Sequence, residues 1–307
     1  MLKRFSEGNG QGGMELPRTK GIRAAFEKGM NILFFLCGAV AVLFVLFISI
    51  YLIISGLPAI REIGLFPFLF GQEWASTASE PKFGILPFIL TSIYGTAGAI
   101  VIGVPIGFMT AVFLAKIASP KIGAAIRAAV ELLSSIPSVV YGLIGMTILV
   151  PAIRSAFHLA SGATLLAAIV VLAVMVLPYI ISVSETALTA VPKEYEEASL
   201  ALGATEIETY FRVSVPAASS GIAAAVVLGI GRAIGEAMAV MMVAGNVANM
   251  PSLLESVRFL TTAVASEMSY SSGLQRQALF SIALVLFLFI MLINAALALL
   301  LKKGKKD

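Results

Sequence analysis

Arg232 and Glu236 stand four residues apart in Gly229-Ile-Gly-Arg-Ala-Ile-Gly-Glu-Ala-Met-Ala-Val240, a stretch otherwise made of apolar and small residues. On a helix that spacing puts both side chains on one face. A lone charge at the centre of a bilayer costs at least about 2.5–3.5 kcal/mol, so such residues face a polar cavity or a partner. Two readings fit. Either the pair neutralises itself and only packs helices, or it forms a translocation site for an anion, since arginine offers a planar fork of donors suited to oxyanions. Gly231 and Gly235 make a Gly-x-x-x-Gly that permits close helix approach and strips bulk from beside the charges. If helix runs unbroken from Pro216, Arg232 lies roughly 24 Å further along.

The elements that position this pair must live in lipid. Of 307 residues, 59% are hydrophobic and only 12% charged, against about 25% charged in soluble proteins. The net charge of +4 is spread between apolar runs, so it reports membrane topology and gives no footprint for nucleic acid. The single cysteine, Cys37, lies in the first apolar run, where it reads as a small apolar residue.

A helical span needs about 20 apolar residues. Six candidates emerge: about 32–54, a run within 83–115, then about 132–153, 165–184, 217–244 and 278–301. Gly103-Val-Pro-Ile-Gly107 is expected to kink the second. Residues 1–28 read as a flexible arm, 29–301 as the membrane domain and 302–307 as a basic tail. With the N-terminus in the cytoplasm, the arm, the connections after spans 2 and 4 and the C-terminus hold fifteen basic residues. The outer connections hold five: Arg61, Lys82, Arg154, Arg258 and Arg276. The bias places both termini inside. Among the outer segments, Trp74 reads as an interfacial anchor. Ser252-Leu-Leu-Glu255 reads as a capping box opening a short helix that ends near Met268. His158 falls in an outer loop as a surface residue.

The loop 185–216 is too long to be structureless. Val191-Pro-Lys-Glu-Tyr-Glu-Glu-Ala begins with proline and crowds carboxylates into a first turn, Gly203 can close that helix, and Thr205-Glu-Ile-Glu208 opens another. The expectation is a two-helix knob on the cytoplasmic side, with Ala198, Ala201 and Ala204 small enough for close approach by another protein.

Glu197-Ala198-Ser199, three residues, Gly203, nine residues, then Val213-Ser-Val-Pro216 resembles the EAA loop of ABC importer permeases. The spacing is kept. Ser199 replaces the second alanine, and Val213 and Val215 replace isoleucine and leucine. The resemblance implies the MetI-like type I permease core, an all-α integral membrane protein of six spans, in which this loop docks into a cytoplasmic ATPase. Glu197, Ala198, Gly203 and Pro216 inherit that docking role. Gly231-Arg-Ala-Ile-Gly-Glu-Ala-Met-Ala-Val240 followed by Gly245-Asn246, together with Trp74, Phe83-Gly-Ile-Leu-Pro87 and Pro137-Ser-Val-Val-Tyr-Gly-Leu143, is similar to the C-type permease subunits of phosphate importers (the PstC family). There an arginine and a glutamate at the positions of Arg232 and Glu236 are implicated in phosphate transport.

The resemblance implies a permease subunit of an ATP-driven phosphate importer in a bacterial or archaeal inner membrane. Its partners would be a second, paralogous permease, two ATPase subunits and an extracytoplasmic phosphate-binding protein. The sequence has no Gly-x-x-x-x-Gly-Lys-Ser/Thr loop, so the chain is expected to be no enzyme and to hold no cofactor, ATP and Mg belonging to the ATPase. Sulfate and molybdate permeases share an Arg-x-x-Gly-Glu pattern but usually continue Glu-Phe-Gly, so another oxyanion is the alternative. A secondary anion transporter is the rival class, expected to show repeats or several buried titratable groups.

Overall fold

A computed structural model describes the backbone of residues 20–303 and the side chains of 26–296. The chain divides into two compact units, Met1–Tyr51 and Leu52–Asp307. Helix α1 (Lys20–Ile63) supplies the described part of the first unit, where Phe34, Phe35, Phe44 and Phe47 are all exposed. A helix apolar all round is a membrane span. The arm expected over 1–28 is thus helical from Lys20 on. Extending an existing helix needs no new nucleus, and Arg23, Ala24, Ala25 and Lys28 are good helix formers. The rest of the arm lies outside the described residues.

In the second unit, α2 (Leu65–Phe70) and a two-stranded hairpin, β1 (Trp74–Ala75) with β2 (Lys82–Phe83), precede α3 (Leu86–Val112). Helix α3 ends in a wide π turn, Phe113–Ile117. The helix runs through Pro105 without interruption, and the glycines beside it serve contact with α7 (Leu165–Thr189). A Cβ on Gly103 would lie 2.7 Å from Val176, and one on Gly107 2.8 Å from Ile180. Without hydrophobic drive in lipid, close backbone approach through small residues is what joins helices. Contacts of Gly95 with Leu165 and Gly98 with Ile169 continue the series. Partner numbers rise together, so α3 and α7 run parallel, as two spans an even number of crossings apart must.

Between them lie α4 (Pro120–Ser135), α5 (Ser138–Ile144), a π turn over Gly145–Leu149 and α6 (Val150–Phe157). The third span is therefore 138–157, starting six residues later than expected. Pro137 disfavours helix at Ile136 before it, and Leu132 and Leu133 belong to the amphipathic α4. His158 closes α6 in the left-handed conformation and is exposed. The fourth span is α7.

Past α7 come α8 (Lys193–Ala201), α9 (Glu206–Thr209), a π turn Tyr210–Ser214, and α10 (Val215–Ala217). The fifth span is broken twice. A 71° elbow separates 206–217 from α11 (Ser219–Gly235), and a second break separates α11 from α12 (Met238–Val243). The helix expected from Ser252 starts instead at α13 (Leu260–Glu267). Residues 252–255 form a turn whose carbonyls accept from the α7 N-terminus: Leu166 N donates to Leu253 O (2.9 Å) and Leu165 N to Glu255 O (3.1 Å). Capping a buried helix end outweighed local propensity there. The sixth span is α14 (Gly273–Lys303); it takes in the start of the expected tail, and 304–307 lie outside the described residues. Among the described residues, five helices are long and apolar enough to cross a membrane, and the bent pair taken as one span makes a sixth.

One core cluster gathers Leu172, Met175, Val240 and Val243 between α7 and α12. A second gathers Phe68, Ile85, Phe88, Leu260 and Leu279 at the end of the unit where α3 begins.

Candidate functional site

Helix α11 stops at Gly235, and Glu236 is extended (φ −73°, ψ 127°). The two charges therefore do not share a continuous helix, yet they meet: Arg232 Nη2 lies 3.3 Å from Glu236 Oε2. The break explains how lipid tolerates them. Arg232 sits in the last turn of α11, the negative end of that helix dipole. Glu236 Oε1 accepts from Ala239 N at 3.1 Å and so caps α12. The carbonyl of Glu236, released from helical bonding, accepts from Thr261 Oγ1 at 2.8 Å. One residue thus satisfies a helix start, an ion pair and a neighbouring helix.

The pair is asymmetric. The Glu236 side chain is 4% exposed and that of Arg232 38%. The guanidinium lies 5.9 Å from the centroid of the Tyr179 ring on α7, within cation–π range. Its Nε is buried and, among the described residues, has no hydrogen-bond partner. Gly231 and Gly235 have open space where a Cβ would stand. The expected close helix approach is not made within the described residues, and the glycines leave room beside the charges. Counted from Ser219 beyond the elbow, Arg232 is thirteen residues along α11, roughly 20 Å, shorter than an unbroken helix from Pro216 would give. Tyr179 was missed in the sequence, although it is the one aromatic in α7 and follows Pro178.

The loop below folds as its residues dictate. Pro192 precedes α8, Glu194 and Glu196 lie in its first turn, and Gly203 turns the chain at φ +88°. Thr205 and Glu208 form a reciprocal capping box. The knob has two sides. Glu197 and Ala198 are exposed beside Leu202 (91% exposed) and Ile207 (65%), and Pro216 is exposed at the elbow. Glu196 turns inward, where Lys116 at the end of α3's π turn and Ser214 (2.7 Å) both donate to it. Burial disfavours its charge, but the bonds from Lys116 and Ser214 outweigh that and hold its carboxyl below the ordinary 4.5. Ser199, the departure from the EAA pattern, shares a 2.9 Å hydroxyl bond with Thr209 and ties α8 to α9. Arg127 of α4 pairs with Glu185 (2.6 Å) at the α7 end. Sequence spacing marked Glu197 and overlooked Glu196, whose partner is 80 residues away.

Trp74 is no free interfacial anchor. It is half-buried, edge-on to Phe83 (5.5 Å between centroids), and its Nε1 reaches both carboxylate oxygens of Glu267 at 3.3 Å. A buried indole N–H needs an acceptor, and Glu267 provides one.

Residues 103–306 match the profile of the binding-protein-dependent transport system inner membrane component family. The chain belongs to that family. It is 42% identical over 256 residues to a probable ABC transporter permease protein, YqgH, of Bacillus subtilis, covering 80% of this chain and 83% of that one. It is 33% identical to the phosphate transport system permease protein PstC of Pasteurella multocida, covering 78% and 81%. In structure it is similar to the MetNI methionine ABC transporter in inward-facing form (TM-score 0.54, 23% identity, 72% of this chain and 94% of that one). A bacterial alginate ABC transporter aligns at TM-score 0.60 with 15% identity, over 89% and 93%. The chain is thus a multi-pass membrane permease subunit with the MetI-like fold, and the break at Glu236 lies inside the family-matched region.

Proposed function

We propose that this chain is the C-type permease subunit of an ATP-driven importer of inorganic phosphate, and that phosphate passes Arg232 on its way in. The observation that carries the reading is the half-exposed Arg232 with an unpartnered Nε, held inside a span by a carboxylate it can exchange. Relatives named as phosphate permeases support the choice of anion. In the resting state Glu236 offsets Arg232 and closes the passage to stray anions. When the spans open outward, phosphate competes with Glu236 for the guanidinium fork, while Tyr179 keeps the fork in place. The carboxylate then reclaims Arg232 and helps expel the ion. Binding is weak by construction, because a tight site would trap its cargo.

Glu197, Ala198, Gly203 and Pro216 form the docking face for a separate ATPase that binds ATP and Mg. Its closure pushes on the knob, and the 71° elbow turns that push into movement of α11. The positive-inside bias supports both termini and the knob lying in the cytoplasm of a bacterial or archaeal cell, in the inner membrane. A paralogous permease would complete the pathway, two ATPase subunits would drive it, and an extracytoplasmic phosphate-binding protein would deliver the ion. The test is uptake of labelled phosphate by the reconstituted complex in vesicles. ATP-dependent uptake that excess sulfate or molybdate leaves unchanged is expected. Uptake without ATP, or competition by either oxyanion at equal concentration, would contradict the reading.

A further inference from the structure

Glu267 closes α13 at the end of the unit far from the knob, and it is the most heavily bonded carboxylate described. Arg258 Nη1 reaches its Oε1 at 2.5 Å, Gln275 Nε2 reaches Oε2 at 3.0 Å and Ser76 Oγ at 3.3 Å, in addition to the Trp74 indole. Gln275 also donates to Ser76 Oγ at 3.1 Å. Arg258 continues inward with two bonds to Asn246 O, at 3.1 and 2.9 Å. Its guanidinium lies over the Phe88 ring at 5.7 Å. A carboxylate 9% exposed and this fully paired fixes whatever it touches.

It touches two parts of the proposed transport cycle through one short rod. The first is the β1–β2 hairpin: Trp74 and Ser76 bond Glu267, while residues 77–81 at its tip are exposed. The hairpin precedes α3, whose other end carries Lys116 and the knob, so the tip faces the side opposite the ATPase docking face. The second is the charge site. Six residues before Glu267 on α13, Thr261 Oγ1 bonds the carbonyl of Glu236, the residue at the break. Six helical residues span about 9 Å. Leu260 N donates to Ser92 Oγ at 3.0 Å, which anchors the start of the rod on α3.

We propose that Glu267 and Thr261 are positioning residues and that α13 is a strut carrying contact at the hairpin tip to the Glu236 break. A protein that docks on the hairpin would shift Glu267, α13 and the Glu236 carbonyl together, loosening the carboxylate's hold on Arg232 as the ion arrives. The inference rests on the reading of Glu236 as part of the transport site. Coupling along the strut is read as a non-additive response.

The experiment uses the full reconstituted complex with the phosphate-loaded external binding protein as probe. It reads ATP hydrolysis with and without that protein. Thr261→Val keeps the shape and removes the donor; we expect basal hydrolysis within about twofold of the parent and at least a fivefold loss of stimulation. Thr261→Ser should restore it. Ser76→Ala should lose stimulation too, and the double variant should be no worse than the worse single. Glu267→Gln should behave like Thr261→Val, and if it fails to assemble the threonine variants decide alone. Full stimulation in Thr261→Val, or losses that multiply in the double variant, overturns the strut. Arg232→Gln run alongside separates the two ideas: normal uptake there sinks the transport-site reading, whereas an inactive Arg232→Gln beside a normal Thr261→Val sinks only the strut.

Discussion

Glu236 holds Arg232 with one carboxylate oxygen and caps α12 with the other, so its charge and its shape can be tested apart. Glu236→Gln keeps an oxygen for Ala239 N and removes the charge. A phosphate reaching Arg232 would then meet no competitor on the way out. We expect retained assembly with turnover about tenfold lower, a change of about 1.4 kcal/mol in the release step, measured as initial uptake rate at saturating phosphate. Tyr179 is expected to contribute through its ring face. Tyr179→Phe should transport nearly as the parent does. Tyr179→Leu should lose about 0.5–2 kcal/mol of support for the guanidinium, seen as a several-fold fall in uptake. Spacing in the sequence paired Arg232 with Glu236 correctly. It could not show that the helix ends between them, because Gly235 is tolerated within helices and the bond that rewards the break comes from Thr261, 25 residues on.

The knob is the element where sequence was most readable, since its proline, glycine and capping box act through neighbours in the chain. Its attachment was not readable, because Lys116 and Glu196 meet only after folding. Glu197→Lys reverses an exposed charge on the proposed docking face and should abolish co-purification of the ATPase while the permease still folds. Glu196→Ala should act differently. It strands Lys116, whose side chain is 9% exposed, at a cost of roughly 1–3 kcal/mol, lowering thermal stability of the permease itself. The pH dependence follows in sign. The folded carboxyl of Glu196 titrates below its ordinary 4.5, so its stabilisation is complete above about that pH. It fades as pH falls from there through the lower folded value. Thermal unfolding of the parent should lose stability over that acid range, and Glu196→Gln should flatten that part of the profile. The other misjudged elements divide: the first is a local proline signal hidden in an apolar run, the second a contact made only on folding. Span 3 begins at Ser138 because Pro137 ends α4, and residues 252–255 abandon a helix to cap α7.

At the scale of the whole molecule, the number of spans and their alternation follow from the apolar runs, since lipid admits only helices and closed barrels and runs of about 20 apolar residues fit the helix. Parallel α3 and α7, joined through Gly95, Gly98, Gly103 and Gly107, agree with that alternation. What composition leaves open is the pair of breaks that divide span 5 into a knob, an elbow, a transport helix and a cap. In the proposed cycle, those breaks let ATPase closure enter below the elbow while the ion enters beside Arg232. The central claim is that phosphate must pass that arginine, and Arg232→Gln in the reconstituted, ATP-supplied complex tests it most directly. The account predicts phosphate uptake at background with the ATPase still bound. Uptake within about twofold of the parent, a difference under about 0.5 kcal/mol, would contradict it.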